Sequence, residues 1–283
     1  MPSAKSSMLD RAPPKAKQEE GTEQKRPVAF RGGGFVPGAG RYSGWIGLAV
    51  VIALWQLAGS AGWVNALFLP PPSAIVVAIW KLAASGALWQ HVSWSIMRIG
   101  SGWIIGTIAG VLVGFAIGLS ALARSVGITF ISALFPIPKI ALLPLLILWL
   151  GIGEEPKIAT IALGVFFSTA ISVYSGVDAV PRNLIRMAQS FNVPFHSIVR
   201  RVIWPGALPS VLAGFRITAS VALLLVVSAE MIGAQFGIGA FVLQAGNLMQ
   251  TDQLLAGVVM LSVFGLAVGK LINWLEARLL HWR

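Results

Sequence analysis

The sequence predicts an all-α, polytopic membrane protein with about six transmembrane helices. Of its 283 residues, 56% are hydrophobic and only 11% are charged, whereas a water-soluble domain carries about 25% charged residues. Six apolar segments reach the length of roughly 20 residues that crosses a bilayer as a helix. They are 45–62, 99–119, 127–151, 157–177, 209–232 and 253–274. The weak alternating pattern of a membrane β-barrel is absent from them, so the spans are expected to be α-helices.

The basic residues predict the orientation of these spans. The net charge is +11, but the cations are scattered rather than massed on one face, so the chain is not expected to bind nucleic acid. Eight of them precede the first span: Lys5, Arg11, Lys15, Lys17, Lys25, Arg26, Arg31 and Arg41. Because cytoplasmic segments collect Lys and Arg, residues 1–42 are predicted to be a disordered cytoplasmic tail. Residues 43–283 then form the transmembrane domain, with both termini in the cytoplasm.

The outer side of the membrane is expected to be poor in cations. Only Lys81, Arg98 and Lys157 are assigned to it. Segment 69–93 lies on this side and begins with the rigid sequence Pro70-Pro71-Pro72. Apolar residues then recur at helical spacing, which predicts an amphipathic helix on the outer surface rather than a span.

The second span carries five glycines at intervals of four residues. This spacing places them on one face of a helix, where a second helix can approach closely. Simple helix packing is the expected role, and a face that slides during a transport cycle is the alternative. The glycines are Gly102, Gly106, Gly110, Gly114 and Gly118.

The third span is predicted to be broken near its middle. It contains Pro136, Pro138 and Pro144, and proline removes a helical donor and clashes with the preceding turn. Lys139 lies between them and is a candidate for a translocation path or gate, because charges at membrane depth are costly. Pairing with Glu230, or reaching an interface, is the alternative for Lys139. Glu230 itself is a candidate gate or ion-pair partner, or else a lone acid at the interface.

The loop 181–208, here called the docking loop, carries the most information about function. Leu184, Met187, Ala188 and Phe191 fall on one helical face, which predicts a first helix. Asn192 suits the left-handed residue that ends a helix. A second helix is predicted from Pro194 to a stop at Pro205-Gly206, with the next span beginning at Pro209. Two organised helices exceed what a mere connector needs, so we expect this loop to bind a partner.

The docking loop resembles the cytoplasmic signature of permease subunits of binding-protein-dependent ABC importers. That pattern is Glu-Ala-Ala, three residues, Gly, nine residues, then Ile-x-Leu-Pro. In this register the chain has Arg186-Met187-Ala188, then Asn192, then Val202-Ile203-Trp204-Pro205. The spacing is kept, although the glutamate is Arg186 and the glycine is Asn192. Segments 69–103, 136–164 and 228–252 are similar to the aliphatic sulphonate, taurine and nitrate branch.

The resemblance implies a type I ABC importer permease fold, similar to MetI, in the bacterial inner membrane. It implies three partners: a second copy of the chain, a cytoplasmic ATPase subunit and a periplasmic solute-binding protein. An aliphatic sulphonate or taurine is the expected solute, with nitrate next and an uncharged heterocycle as the alternative. The residues that the resemblance assigns to coupling with the ATPase are Arg186, Met187, Ala188, Phe191, Asn192, Val202 and Pro205.

The chain is not expected to be an enzyme or to hold a cofactor. The run Gly265 to Lys270 has the wrong spacing for a P-loop, so ATP is expected to bind a partner subunit. The chain has no cysteine, and its three histidines lack metal-ligand spacing, so neither a metal site nor a catalytic residue is predicted. An ion-driven secondary transporter and a membrane scaffold remain as alternatives; a neighbouring ATPase gene separates the importer from both.

Overall fold

The computed structural model describes residues 42–279, except for the side chains of Ser43, Leu275 and Leu279. The tail predicted over residues 1–42 therefore lies outside the described residues, Tyr42 excepted. The α-helices are α1 Ser43–Ser60, α2 Pro72–Ala84, α3 Ala87–Leu119, α4 Ala121–Leu134, α5 Leu143–Leu150, α6 Glu155–Asp178, α7 Arg182–Ser190, α8 Phe195–Ile198, α9 Trp204–Gly233, α10 Ile238–Asn247 and α11 Thr251–Leu279. A 3₁₀ turn, Lys139–Leu142, precedes α5, and a π-helical turn, Val199–Ile203, joins α8 to α9. Within the described residues every regular element is helical, which confirms the all-α prediction.

The six predicted spans all fall on helices, but they differ in length. Four described helices are long and apolar enough to cross a membrane: α3, α6, the continuous stretch Phe195–Gly233 and α11. Helices α4 and α5 together form a fifth candidate that bends by 86°. This bend confirms the break predicted from Pro136, Pro138 and Pro144. Helix α1 is a shorter apolar helix. Of the described residues, 42–50 belong to one unit and 51–279 to a second, which holds the helical bundle.

Helices α3 and α6 run parallel and pack closely along the glycine face of α3. A methyl group added at Gly110 would lie 2.7 Å from Cβ of Thr169, and one at Gly118 would lie 2.6 Å from Val177. Gly102, Gly106 and Gly114 meet α6 in the same way. The five glycines therefore let the two backbones approach to a distance that any side chain would prevent. Helix α9 also packs against α6 and runs in the opposite direction, with Gly176 against Ala207 and Gly164 against Leu225.

The bundle therefore has two distinct ends. The docking loop lies at one end, with the last turns of α3 and α6 and the start of α9. Helix α10 lies at the other end, beyond the last turn of α9. Helix α2 is at this second end as well, because Ile75 and Ala78 pack with Ala256 near the start of α11.

Two boundaries differ from the prediction. Segment 69–93 is two helices, separated at Gly86 with φ +82°, so α3 begins at Ala87 rather than near residue 99. Pro205 does not stop the second helix of the docking loop. The π-helical turn directly before Pro205 changes the hydrogen-bond pattern there, and the helix continues through Pro209 to Gly233.

Candidate functional site

Arg98, Glu154, Lys157 and Glu230 form a charged cluster at the end of the bundle away from the docking loop, and all but the half-buried Glu154 are buried. Arg98, on α3, is 1% exposed. Its Nη1 donates to Glu230 Oε1 at 2.8 Å, its Nη2 donates to Glu154 Oε1 at 3.0 Å, and its Nε donates to Glu154 Oε2. Lys157 completes the cluster with an Nζ–Oε1 distance of 3.1 Å to Glu154. The charged cluster thus ties the beginning of α6 and the end of α9 to α3.

Both carboxylate oxygens of Glu230 are occupied within the protein. Oε1 accepts from the Ser95 hydroxyl at 2.7 Å as well as from Arg98, and Oε2 accepts from the Gly239 N–H at 2.8 Å. The side chain is fully buried. Because a buried carboxylate is stable only with a counter-charge and hydrogen bonds, Glu230 is held as one part of a closed network.

The charged cluster balances internally, with two cations and two carboxylates. Glu154 lies just before α6. Burial raises the pKa of its carboxyl, but hydrogen bonds from Arg98 and Lys157 outweigh burial and leave the pKa below its usual value. Glu154 is therefore ionised at neutral pH and stabilises the fold there. Its contribution falls as the pH drops through that lowered pKa.

The prediction for Arg98 and Lys157 was incomplete, and one alternative for Lys139 is wrong. Arg98 and Lys157 were assigned to the outer side as loop cations, but both are buried and ion-paired. Glu230 pairs with Arg98 and not with Lys139. The Lys139 ammonium instead donates to the carbonyls of Leu134, Phe135 and Ile137, at 2.9, 2.7 and 2.7 Å. Lys139 thus satisfies the carbonyls that the broken helix leaves free at the end of α4.

The docking loop has the opposite character, because large apolar side chains remain exposed on it. Phe191 is 77% exposed, Phe195 64% and Met187 56%. Leu184 and Arg186 are exposed as well. Within the described residues these side chains have no covering element. An apolar group of this kind on an ordered segment is typical of a surface that another protein covers.

The rest of the docking loop is anchored firmly to the bundle. Ile198, Ile203 and Ala207 are buried in one cluster with Val177 and Val180 from the end of α6 and the segment that follows it. The π-helical turn joins this anchor to α9 without a break, so the second helix of the docking loop and α9 form one continuous helical stretch, Phe195–Gly233. Helix α7 is separated from this stretch by residues 191–194.

Ala188 and Val202 pack against this anchor, so Ala188 does not share the exposed face of Met187 and Phe191. The one-face assignment for Ala188 was wrong, because Ile185 and Ala188, three residues apart, form the inward face of α7.

Asn192 and Pro205 affect the backbone conformation of the docking loop. Asn192 has φ +54°, the left-handed conformation that was expected where the first helix ends. Asparagine adopts this region more readily than most residues with a side chain, so it can stand where the family pattern has glycine. Pro205 lies at the junction between the π-helical turn and α9, where the hydrogen-bond pattern of the helix changes.

Residues 105–281 match the family model described as "Binding-protein-dependent transport system inner membrane component". The match spans more than half of the chain and includes the docking loop. The chain belongs to this family. The family resemblance carried by the spacing of the docking loop is thereby confirmed, and the chain is the membrane permease component of an importer rather than its ATPase.

Curated permeases are similar over most of the chain. A chain of Bacillus subtilis (strain 168) that is named as the aliphatic sulfonates transport permease protein SsuC is 36% identical over 251 residues. The match covers 87% of this chain and 91% of the relative. The taurine transport system permease protein TauC of Escherichia coli (strain K12) is 35% identical over 240 residues, 83% of this chain and 87% of the relative. The E. coli (strain K12) chain named SsuC is 36% identical over 242 residues, 86% of this chain and 92% of the relative.

Solved structures show the same fold. An inward-facing conformation of the MetNI methionine ABC transporter has a TM-score of 0.54 at 22% identity and covers 71% of this chain and 96% of that chain. A second crystal form has a TM-score of 0.56 at 20% identity, with the same coverage. These similarities confirm the expected MetI-like fold of type I importers.

Proposed function

We propose that this permease carries a small sulfonate, either an alkanesulfonate or taurine, across the bacterial inner membrane as a homodimer. The observation that carries the proposal is the identity of 35–36% to permeases named for aliphatic sulfonates and for taurine, over more than four fifths of the chain. ATP binds and is hydrolysed on a separate cytoplasmic subunit, and a periplasmic binding protein delivers the solute.

The docking loop receives the motion of the ATPase. Met187 and Phe191 are the exposed apolar contacts, and Arg186 contributes an exposed charge beside them. In this arrangement the loop faces the cytoplasm and the charged cluster faces the periplasm. Both termini are then cytoplasmic, in agreement with the excess of Lys and Arg on that side.

The continuous helix from the docking loop to the charged cluster is suited to transmit that motion. It runs over 39 residues, Phe195–Gly233, which corresponds to about 58 Å at the rise of an α-helix. A displacement of α7 passes to this stretch through Ile185 and Ala188, which pack on the buried cluster of the docking loop, and then along the helix to the outer end of α9. ATP and the loaded binding protein need to favour one of two states of the path by only a few kcal/mol each.

The decisive experiment is reconstitution. The chain, purified with the ATPase encoded next to it, is inserted into proteoliposomes and supplied with the cognate binding protein and radiolabelled taurine or an alkanesulfonate. We expect uptake that requires ATP and the binding protein together. Nitrate and an uncharged heterocycle serve as competing solutes in the same vesicles.

Three results would contradict the proposal. Uptake without ATP, driven by an ion gradient, would make the chain a secondary transporter. ATP-dependent uptake of nitrate or of the heterocycle in preference to both sulfonates would support an ABC importer but contradict a sulfonate as its solute. Binding of a cytoplasmic partner with no uptake of any solute would favour a membrane scaffold.

A further inference from the structure

A cavity of about 550 Å³ lies at the charged-cluster end of the bundle, between the last turn of α9, the segment 234–237 and α10. Three amide side chains line it, those of Gln235, Gln244 and Asn247. All three residues are exposed, and within the described residues none of these amide groups has a hydrogen-bond partner. The space is here called the amide cavity. No Lys, Arg or His is among the described residues that line it.

The spacing on α10 explains why the amides converge. Ala240, Leu243, Gln244 and Asn247 follow the intervals of three and four residues that place side chains on one helical face. Gln235 comes from the segment before α10 and lines the same cavity. The amide groups of α10 and of the segment before it thus lie beside an apolar surface that Ala240 and Leu243 form.

The wall of the amide cavity is fixed by residues of α3. Arg98 Nη1 donates to the Phe236 carbonyl at 2.6 Å, and the Ile238 N–H donates to Ser95 Oγ at 2.9 Å. His91 Nδ1 lies 3.0 Å from the Gly237 carbonyl oxygen. Because these bonds hold consecutive backbone groups, the segment that carries Gln235 is preorganised for a ligand.

Gly237 allows this wall to lie against the charged cluster. Its φ is +135°, and a methyl group at this position would meet the carboxylate of Glu230. Glu230 lines the amide cavity, but both of its oxygens are bonded within the network and its side chain is fully buried. The carboxylate is therefore turned away from the space and its charge is balanced by Arg98, so the amide cavity is neutral.

Neutral amides suit a solute that must bind and then leave. Each amide offers two N–H donors and one carbonyl acceptor, so the three can donate to the oxygens of a sulfonate and accept from the ammonium of an aminosulfonate. Fixed cations would hold an anion more tightly, whereas passage requires a site that releases its solute. The apolar residues Ala240 and Leu243 can contact the short carbon chain.

We propose that the amide cavity holds the sulfonate group of the solute during its passage, with Gln235, Gln244 and Asn247 as the residues that determine specificity. This inference rests on the proposed function and adds the place and chemistry of solute binding. It differs from the earlier assignment of Lys139 to the path, because the Lys139 ammonium is engaged by backbone carbonyls.

The test uses Gln244→Glu and Asn247→Asp in the complete transporter in proteoliposomes. Each substitution keeps the shape of the side chain, replaces a donor by an acceptor and adds a negative charge. We expect sulfonate uptake to fall at least about tenfold, the scale of losing a hydrogen bond to a charged group. ATP hydrolysis stimulated by the loaded binding protein should stay near the wild-type rate, which separates a solute site from a coupling defect.

Gln90→Glu is the matched control, because Gln90 is an exposed amide on α3 that does not line the amide cavity. Gln244→Ala replaces Gln244→Glu if the added charge prevents assembly. Unchanged uptake in both cavity variants would overturn the inference, and so would loss of uptake with loss of the dimer in size-exclusion chromatography, since the amides would then be contacts between copies. Wild-type transporter that moves no sulfonate would reject the proposed function itself, whereas normal wild-type uptake with unaffected variants rejects the amide cavity alone.

Discussion

The side chains at the two ends of the bundle differ in burial and in whether they have partners within the chain. At one end, Arg98 and Glu230 are removed from solvent and bonded to each other. At the other end, Phe191 and Met187 stand exposed on a short helix whose inner face is well packed. The charged cluster at the first end is complete within the chain, whereas the docking loop at the second end leaves an apolar surface for another protein.

This difference indicates that the two ends have different roles. A buried charged cluster has one favourable arrangement, because removal of any member leaves an unpaired charge in a region of low dielectric constant. It therefore holds the ends of α3, α6 and α9 in one geometry. An exposed apolar surface on an anchored helix stabilises the fold little, but its burial by a partner provides binding energy.

The largest expected effect comes from breaking the charged cluster. Arg98→Met leaves the fully buried Glu230 without its counter-charge and the half-buried Glu154 with Lys157 alone, which should destabilise the protein by about 3–5 kcal/mol. Thermal unfolding in detergent, followed by circular dichroism, measures this loss. Lys81→Met is the control, since Lys81 is an exposed cation. An unchanged melting temperature for Arg98→Met would show that the cluster does not hold the helices together.

Charging the exposed surface should affect the partner rather than the fold. Phe191→Asp is expected to weaken binding of the ATPase subunit at least about tenfold, the effect of losing a central interface residue. Phe68→Asp is the matched control, because Phe68 is also 77% exposed but lies between α1 and α2. Co-purification and binding titrations in detergent compare the two. Equal binding of the ATPase subunit by both variants would show that Phe191 is not part of the docking surface.

Lys139→Met tests the break between α4 and α5. The substitution removes the ammonium donor from the carbonyls of Phe135 and Ile137, whereas the Leu134 carbonyl keeps the N–H of Ile137, so we expect a destabilisation of about 1–3 kcal/mol. Uptake per assembled transporter should remain near that of the wild type, because the lysine supports the backbone. Lys81→Met is again the reference. Lower uptake with unchanged thermal stability would instead indicate that Lys139 belongs to the translocation path.

The glycine face of α3 offers a paired comparison on a single helix. Gly110→Ala places a methyl group 2.7 Å from Thr169 Cβ, whereas the same change at Gly100 meets no atom within 4 Å. Overpacking of this kind destabilises by about 1–3 kcal/mol, so Gly110→Ala should melt at a lower temperature than Gly100→Ala. If both variants were equally stable, close approach of α3 and α6 would not be required.

Local signals in the sequence predicted much of the fold. The apolar segments, the prolines around Lys139, the glycine face and the left-handed Asn192 each report on their own surroundings, and each has the predicted structural consequence. The partners of Arg98 could not be predicted in this way. Glu154 is 56 residues from Arg98 and Glu230 is 132 residues away, so only the packing of α3, α6 and α9 brings them together.

The missed elements have a similar explanation. Helix α10 follows Gly233 and Gly237 in a glycine-rich stretch with no clear helical period, so it was not predicted. Pro205 was expected to end a helix, but the π-helical turn before it depends on how Ile198 and Ile203 pack against α6. The convergence of Gln235, Gln244 and Asn247 could not be predicted either, because it requires the path from α9 into α10.

Hydrogen–deuterium exchange of the permease, with and without its ATPase subunit in detergent, tests the contrast between the two ends most directly. We predict that the ATPase protects backbone amides of residues 182–198 strongly and leaves residues 230–240 unchanged, because the exposed apolar side chains of the docking loop lie at the opposite end of the bundle from residues 230–240. Protection absent from residues 182–198, or equal at both ends of the bundle, would contradict the account.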